Sequence, residues 1–296
     1  MGELSGVIAP ATTPFDKNGD IDFVSFIKQI NWLIKEGVAG VAIGGSTGEG
    51  HTLNNEETRD LIAAGNDAAS GRVPIIAGVI CDSTREAITR GSLLADLNPA
   101  ALQVTPVHYL FRPDDESMIE HFKAIASQTG QKIIIYNVVP WTYLSPELLL
   151  KIMEIVPSVI GVKQSAGDLK LFADLIHSAN PENLIFSAVD ALMYPSYTLG
   201  AHGSIAAILT AAPKASVELW RAVKSANHSE ALELHKKLLN LWNALMPDHN
   251  LPASVKFAQH LQGVPSGLPR APMKEVNLKK QKDITHALQQ LGVYDI

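Results

Sequence analysis

Residues 132–138, KIIIYNV, form a short apolar run that ends in a tyrosine and an asparagine. It is one of eight such runs, and most of them are apolar throughout rather than alternating. Continuous apolar runs are typical of parallel strands that are covered on both faces. The other seven runs are residues 6–9, 38–43, 73–79, 101–105, 159–163, 184–189 and 203–208.

Amphipathic segments separate these runs, and several carry helix-start signals. Asn54 with Glu57 forms a capping-box pattern, Ser145 precedes a proline, and Asp114 and Asp168 are candidate caps. Eight strands with seven helical connections, followed by helices to the end, predict a (β/α)8 TIM barrel with a C-terminal helical extension. A doubly wound open sheet remains the alternative.

The domain organisation follows from the same pattern. No linker, repeat or low-complexity tract divides the chain. We therefore expect one structural unit, in which residues 1–210 form the barrel that carries the active site. Residues 211–296 would hold the last barrel helix and the C-terminal helical extension.

Composition excludes several classes of protein. The 296 residues are 46% hydrophobic and carry a net charge of −6, with no basic block that would indicate nucleic-acid binding. The single cysteine excludes an internal disulfide framework and suits a reducing compartment. The first ten residues lack an apolar signal region, and no apolar stretch is long enough to span a bilayer. We expect a soluble, cytoplasmic protein without a membrane partner.

Barrel geometry predicts where an active site would lie. Residues that follow the strands of such a barrel gather on one face and build the site. Residues 44–50 follow strand 2, 105–109 follow strand 4, 136–138 close strand 5, and Lys163 closes strand 6. These four segments should therefore converge.

The turn at residues 44–50, GGSTGEG, presents backbone N–H groups and two hydroxyls to a small anion. It lacks the Gly-Lys-Ser/Thr ending of a phosphate-binding loop, and Glu49 is an acid that a phosphate site would not favour. A carboxylate is therefore the better ligand. The alternative is a tight turn without a ligand.

Lys163 ends the apolar run at residues 159–163. A lysine at a strand end can snorkel to water, which is one interpretation. The other is a desolvated lysine, because burial disfavours the charged ammonium and favours a neutral amine that attacks carbonyl carbon. Schiff-base chemistry in a barrel would require a lysine at this place.

Several motifs, in this order and spacing, resemble the dihydrodipicolinate synthase / N-acetylneuraminate lyase family of pyruvate-dependent class I aldolases. The resemblance runs from Gly6 to about Met273. It implies a TIM barrel, a homotetramer built as a dimer of dimers, and no cofactor beyond a covalent imine. The motifs are residues 44–50, 74–78, 136–138, 160–168, 200–203 and 250–256.

The resemblance also implies roles for individual residues. Lys163 would form the imine with pyruvate or a 2-oxo acid, and Tyr136 would relay protons. Ser46 and Thr47, with surrounding N–H groups such as that of Gly45, would bind the carboxylate. Thr47 would also hydrogen-bond the Tyr136 hydroxyl. No metal is expected, because the ten histidines show no metal-site spacing.

One departure from the family concerns the second substrate. The lysine-pathway synthases carry an arginine after the catalytic tyrosine, and Trp141 occupies that position here. A tryptophan cannot make a bidentate contact to a carboxylate. Its ring suits an apolar or ring face, or it packs at the barrel mouth.

Two other loops depart as well. After strand 4, where the family places a relay tyrosine inserted into the neighbouring subunit, Tyr109 is preferred and His108 is the alternative. Val189 stands where relatives often have glycine and would narrow the pocket, while Asp190 would cap the next helix. Ile205 is a further substrate-binding candidate.

The sequence therefore predicts a Schiff-base lyase, aldolase or dehydratase that acts on pyruvate or a 2-oxo acid. The missing arginine favours a sugar-acid-derived or aromatic aldol as the partner compound. One alternative is 4-hydroxy-tetrahydrodipicolinate (dihydrodipicolinate) synthase. Another is a non-catalytic sensor that binds keto acids.

Overall fold

The structure is a computed structural model that describes residues 4–246 and 250–294. Eight parallel strands pair in chain order, and β8 pairs with β1, which closes the barrel and excludes the open doubly wound sheet. The strands are β1 (Gly6–Pro10), β2 (Gly40–Ile43), β3 (Ile75–Val79), β4 (Ala101–Val104), β5 (Ile133–Asn137), β6 (Val159–Gln164), β7 (Leu184–Ser187) and β8 (Gly203–Ser204).

Helices connect the strands on the outside, as expected for a TIM barrel. Those of the barrel are α1 (Phe23–Lys35), α2 (Asn55–Ala69), α3 (Thr84–Leu93), α4 (Asp115–Thr129), α5 (Pro146–Ile155), α6 (Leu169–Ser178), α7 (Met193–Thr198) and, after the short α8 (Ile208–Ala211), α9 (Pro213–Lys224). The C-terminal extension consists of α10 (His228–Leu245), α11 (Leu251–Leu261) and α12 (Leu278–Leu291).

The predicted helix starts at four of these helices are confirmed. Asn54 and Glu57 form a reciprocal capping box, and Asp114, Ser145 and Asp168 each accept a backbone N–H of the first turn. Each cap satisfies amide groups that have no partner inside the helix. These local signals were readable from sequence because they depend on residues within one helical turn.

The last two strands are shorter than their apolar runs suggested. β8 ends at Ser204, and β7 ends at Ser187. Residues 206–208, the end of the last apolar run, are buried where a helical turn begins, in which Ala211 N–H donates to the carbonyl of Ala207. Apolar content alone does not separate a short buried strand from a short buried helix.

Two packed regions form the core. The larger lies between the barrel and its helices, and the smaller fills the barrel interior. The interior layer is fully buried and consists of Ile8, Ala42, Ile76, Ala101, Ile134, Phe186 and Ile205. Since side chains alternate along a strand, the next inward-facing residue after Ile134 is Tyr136. Lys163 is the register partner of Tyr136 on β6, beyond a register shift at the start of the β5–β6 pairing, so it points inward as well.

The proposed boundary between residues 210 and 211 falls inside α8. Residues 1–3, 247–249 and 295–296 of the two predicted segments lie outside the described residues. The division into 1–210 and 211–296 stays a prediction. Within 4–246 and 250–294, no helix is long and apolar enough to cross a bilayer.

Candidate active site

Lys163 and Tyr136 lie side by side at the carboxyl ends of β6 and β5. They are register partners on neighbouring parallel strands, so both side chains point to the same face of the sheet, into the barrel. The Lys163 Nζ atom lies 3.8 Å from the centre of the Tyr136 ring. Lys163 is 4% exposed and Tyr136 is 2% exposed. Lys163 is therefore buried rather than directed to water, and its role as a nucleophile stays a prediction.

The turn at residues 44–50 lies next to this pair. The Tyr136 hydroxyl donates to the Ser46 Oγ atom at 3.0 Å. We expected Thr47 to make this contact, but in the structure Ser46, the first residue of the 3-10 turn (Ser46–Gly48), makes it instead. Thr47 still lines the same cavity and is 8% exposed.

Lys163, Tyr136, Ser46 and Thr47 line one cavity of about 350 Å³ at the carboxyl ends of the strands. Among the described residues of its wall, Lys163 is the only cationic side chain. Larger clefts of about 530 Å³ lie elsewhere, and neither is lined by Lys163 or Tyr136. The remaining wall residues are Val138, Tyr143, Ser165, Ala188, Asp190, Ile205, Ala206, Ala207, Trp242, Met246, Leu251 and Pro252.

Tyr143 is a wall residue that the sequence analysis missed. Its hydroxyl donates to the carbonyl of Ser165 at 3.2 Å. Burial, and then the nearby Tyr136, raise the pKa of Tyr143. The side chain of Asn137 holds the segment in place, because it bonds both the N–H and the carbonyl of Leu144. The sequence signal that could have suggested Tyr143 is its short distance along the chain, seven residues after Tyr136.

Asp190 has a different role from the helix cap that we predicted. Its carboxylate accepts the N–H of Ile208, at the start of α8, at 2.7 Å. α7 begins at Met193 without a side-chain cap. Burial raises the pKa of Asp190 to about 6, although the bond from Ile208 and the charge of Lys163 lower it. Because the chain turns in a 3-10 helix at Asp190–Leu192 first, the acid is one turn too early to cap α7.

Other predicted site residues lie outside this cavity wall. Trp141 is 67% exposed and its Nε1–H donates to the carbonyl of His108 at 2.8 Å. Tyr109 is 70% exposed, and its backbone N–H donates to Asp82. Gly45 and Val189 do not contribute to the wall either. Their roles in catalysis and substrate binding stay predictions.

Ile205, another predicted substrate-binding residue, does line the cavity. It is fully buried and belongs both to the barrel interior and to the cavity floor. Cys81 is 4% exposed, and burial raises its pKa to about 12, so it behaves as a small buried hydrophobe. Within the described ranges, no three histidine, cysteine or acidic side chains form a group that could hold a metal ion.

The C-terminal extension completes the cavity. Trp242 and Met246 come from the end of α10, and Leu251 and Pro252 from the start of α11. The wall therefore extends beyond the barrel segment of residues 1–210. The sequence signal was the Asn-Leu-Pro motif at residues 250–252, which we used for the resemblance but not for the site.

The fold and this site agree with the comparisons to known proteins. Residues 3–291 match the dihydrodipicolinate synthetase family. The chain is 35% identical over 294 residues to a 4-hydroxy-tetrahydrodipicolinate synthase of Methanopyrus kandleri, covering 98% of this chain and 97% of that one.

Solved structures give the same result. A dihydrodipicolinate synthase crystal structure superimposes with a TM-score of 0.89 at 32% identity, covering 98% of this chain and 100% of that chain. The dihydrodipicolinate synthase of Thermotoga maritima gives a TM-score of 0.92 at 27% identity, with coverages of 98% and 99%.

The closed (β/α)8 barrel and the sequence and structure matches over nearly the whole chain agree on one family of lyases. This chain belongs to the dihydrodipicolinate synthetase family. It is a carbon–carbon or carbon–oxygen lyase of that family. The match over nearly the whole chain favours an enzyme over the non-catalytic sensor.

The buried Asp190 carboxyl makes a testable contribution to stability. Because its folded-state pKa of about 6 is above the ordinary value of 3.8, the folded chain holds this proton more tightly. Its contribution is full below pH 3.8 and is lost as the pH rises through about 6. We predict that the Asp190→Asn variant, which keeps an acceptor for Ile208, gains stability relative to the unmodified chain between pH 4 and 7. The relative gain is at most about 3 kcal/mol.

Urea denaturation of both proteins across this pH range measures the effect. A difference in unfolding free energy that stays constant from pH 4 to 7 would show that Asp190 does not titrate as described.

Proposed function

We propose that this enzyme acts on pyruvate or another 2-oxo acid through an imine on Lys163. The observation that carries the proposal is the buried Lys163 amine, 3.8 Å from the Tyr136 ring, in a cavity that also presents two hydroxyls of the 44–50 turn. A lysine that only carried a surface charge would not need to be buried. A buried amine beside hydroxyl groups is suited to attack on a carbonyl carbon.

The chemistry assigns one task to each group. The neutral amine of Lys163 attacks the keto carbon, and the keto oxygen leaves as water with one proton from the nitrogen and a second supplied through Tyr136, which gives a cationic imine. This cation withdraws electrons, so a proton can leave the adjacent carbon and give an enamine. Tyr136 carries that proton, with its hydroxyl held by Ser46 at 3.0 Å. Ser46 and Thr47 bind the carboxylate with uncharged donors, which leave Lys163 as the only cationic side chain among the described residues of the wall.

The second substrate has two candidate classes. The absence of an arginine from the described wall favours an uncharged, sugar-acid-derived or aromatic aldehyde. The names of the relatives favour the alternative, 4-hydroxy-tetrahydrodipicolinate synthase, since several relatives at 32–35% identity carry this name. The agreement among these relatives supports the synthase better than the missing arginine supports the first class. We therefore take the synthase reaction as the first to test.

A homotetramer, built as a dimer of dimers, is part of this proposal. Consecutive exposed apolar side chains at Tyr109, Leu110 and Phe111 support an interface at this place, and Trp141 contacts the same loop through His108. Light scattering should give about four times the 31.9 kDa chain mass. A monomer mass at micromolar concentration would rule out the assembly.

The imine itself is directly testable. Sodium borohydride added in the presence of pyruvate should reduce the imine and leave a stable adduct on the peptide that contains Lys163. The Lys163→Met variant keeps the length of the side chain but lacks the amine, so it should give no adduct. Peptide mass mapping measures both.

Lys170 provides an internal control for this labelling, because it is exposed and paired with Asp174. Labelling of Lys170 to the same extent as Lys163 would indicate nonspecific reduction. An adduct elsewhere with none on Lys163 would refute the proposed mechanism.

The second substrate is tested with two aldehydes that differ in charge. Pyruvate is supplied with aspartate 4-semialdehyde, which carries a carboxylate, or with glyceraldehyde, which does not. We expect faster aldehyde consumption with the semialdehyde, as the relatives indicate, and none with Lys163→Met. Faster turnover of glyceraldehyde would instead support the sugar-acid-derived class.

A further inference from the structure

Glu49 is a buried acid inside a turn that we propose binds an anion. Its backbone lies in the left-handed region, with φ of 55°. Its carboxylate is not part of the cavity wall, and the chemistry of the imine does not use it. A negative charge close to a carboxylate site would weaken binding unless a cation neutralises it. The position therefore needs an explanation.

Lys256 on α11 supplies that cation. Its Nζ atom lies 2.6 Å from the Glu49 Oε1 atom, and the two side chains are 3% and 2% exposed. The same ammonium donates to the carbonyl of Leu268 at 2.7 Å, and Glu49 Oε2 accepts the backbone N–H of Arg270 at 2.9 Å. Every oxygen of the acid therefore has a donor.

A buried ion pair is not an obvious source of stability. Removing two charges from water costs free energy that their attraction recovers only in part, and a well-packed apolar pair often does as well. Burial lowers the pKa of Lys256, which the carboxylate of Glu49 opposes. Such a pair can provide conformational specificity, because its hydrogen bonds hold the two chain segments in one arrangement.

The segment that the pair fixes is the carboxylate-binding turn. Glu49 lies between two glycines packed so closely that neither tolerates a side chain. A Cβ atom on Gly48 would lie 2.7 Å from the carbonyl oxygen of Ala11, and one on Gly50 would meet the carbonyl of Gly44. Glu49 is therefore the one residue in this stretch of three whose side chain can anchor the turn.

Lys256, the other member of the ion pair, lies on a helix that also lines the cavity. Lys256 is on the same helix as Leu251 and Pro252, which line the catalytic cavity. The pair thus joins the turn that carries Ser46 and Thr47 to the helix that closes the opposite part of the wall. This connection spans 207 residues of sequence.

We propose that Glu49 and Lys256 are positioning residues that hold Ser46 and Thr47 in place for the carboxylate of the 2-oxo acid. This inference rests on the proposed function. The pair does not touch the substrate. It sets the affinity for the 2-oxo acid and leaves the attack of Lys163 on a bound molecule unchanged.

The test separates positioning from stability. The Lys256→Met variant leaves the acid buried without its cation and should lower the melting temperature. The double variant Glu49→Met/Lys256→Met removes both charges at similar volume and should recover most of that loss. The concentration of pyruvate that gives half-maximal borohydride labelling of Lys163 should nevertheless stay about tenfold higher than in the unmodified chain. Labelling at saturating pyruvate should be unchanged.

A neighbouring ion pair gives a matched control. Arg270 pairs with Glu57 and also donates to the carbonyls of Gly19 and Thr52, but neither side chain contacts Glu49. The double variant Glu57→Met/Arg270→Met keeps the backbone N–H that Glu49 uses. It should shift the melting temperature only, with half-maximal labelling within about twofold of the unmodified chain.

Each of three results would overturn one part of this proposal. If the Glu49→Met/Lys256→Met variant recovers both stability and pyruvate affinity, the pair is only structural. If its stability recovers poorly and labelling falls even at saturating pyruvate, the pair maintains the fold rather than the turn. Absence of an adduct on Lys163 in the unmodified chain would refute the proposed function itself, and with it the turn as a carboxylate site.

Discussion

The constraint on which the site depends is the burial of one amine at the end of a parallel strand. Lys163 is 4% exposed and lies against the face of the Tyr136 ring, in register with it across two adjacent strands. The electron-rich face of the Tyr136 ring is a favourable neighbour for a cationic nitrogen. In the proposed mechanism the Lys163 nitrogen becomes cationic once the imine has formed, so this contact favours the imine.

The strands of the barrel, rather than its loops, position Lys163 beside Tyr136. Strand alternation places Tyr136 two residues after Ile134 of the apolar layer, and Lys163 lies in register with Tyr136 on one neighbouring strand and with Phe186 of that layer on the other. The layer below excludes water from one side, and the 44–50 turn and the C-terminal extension cover the other parts. Strand register thus positions Lys163 and Tyr136, and under the proposed function the choice of the second substrate falls to the loops and the extension.

The sequence predicted what depends on local order. Apolar runs gave the eight strands, and helix caps such as Asn54 and Ser145 gave helix starts, because both are set by residues within one element. It also placed Lys163 and Tyr136 correctly. It did not predict that Ser46, rather than Thr47, bonds Tyr136, since that choice depends on the orientation of a 3-10 turn. The contact of Glu49 with Lys256 could not be predicted either, because no local sequence pattern couples residues that are 207 positions apart.

The central claim is that Lys163 forms a covalent bond with the keto carbon of a 2-oxo acid whose carboxylate lies on the 44–50 turn. The most direct measurement is a crystal structure of the enzyme soaked with pyruvate. We expect continuous electron density from the Nζ atom of Lys163 to C2 of pyruvate, with the carboxylate within hydrogen-bond distance of Ser46 and Thr47. Pyruvate bound without a covalent link, or bound away from Lys163, would contradict the account.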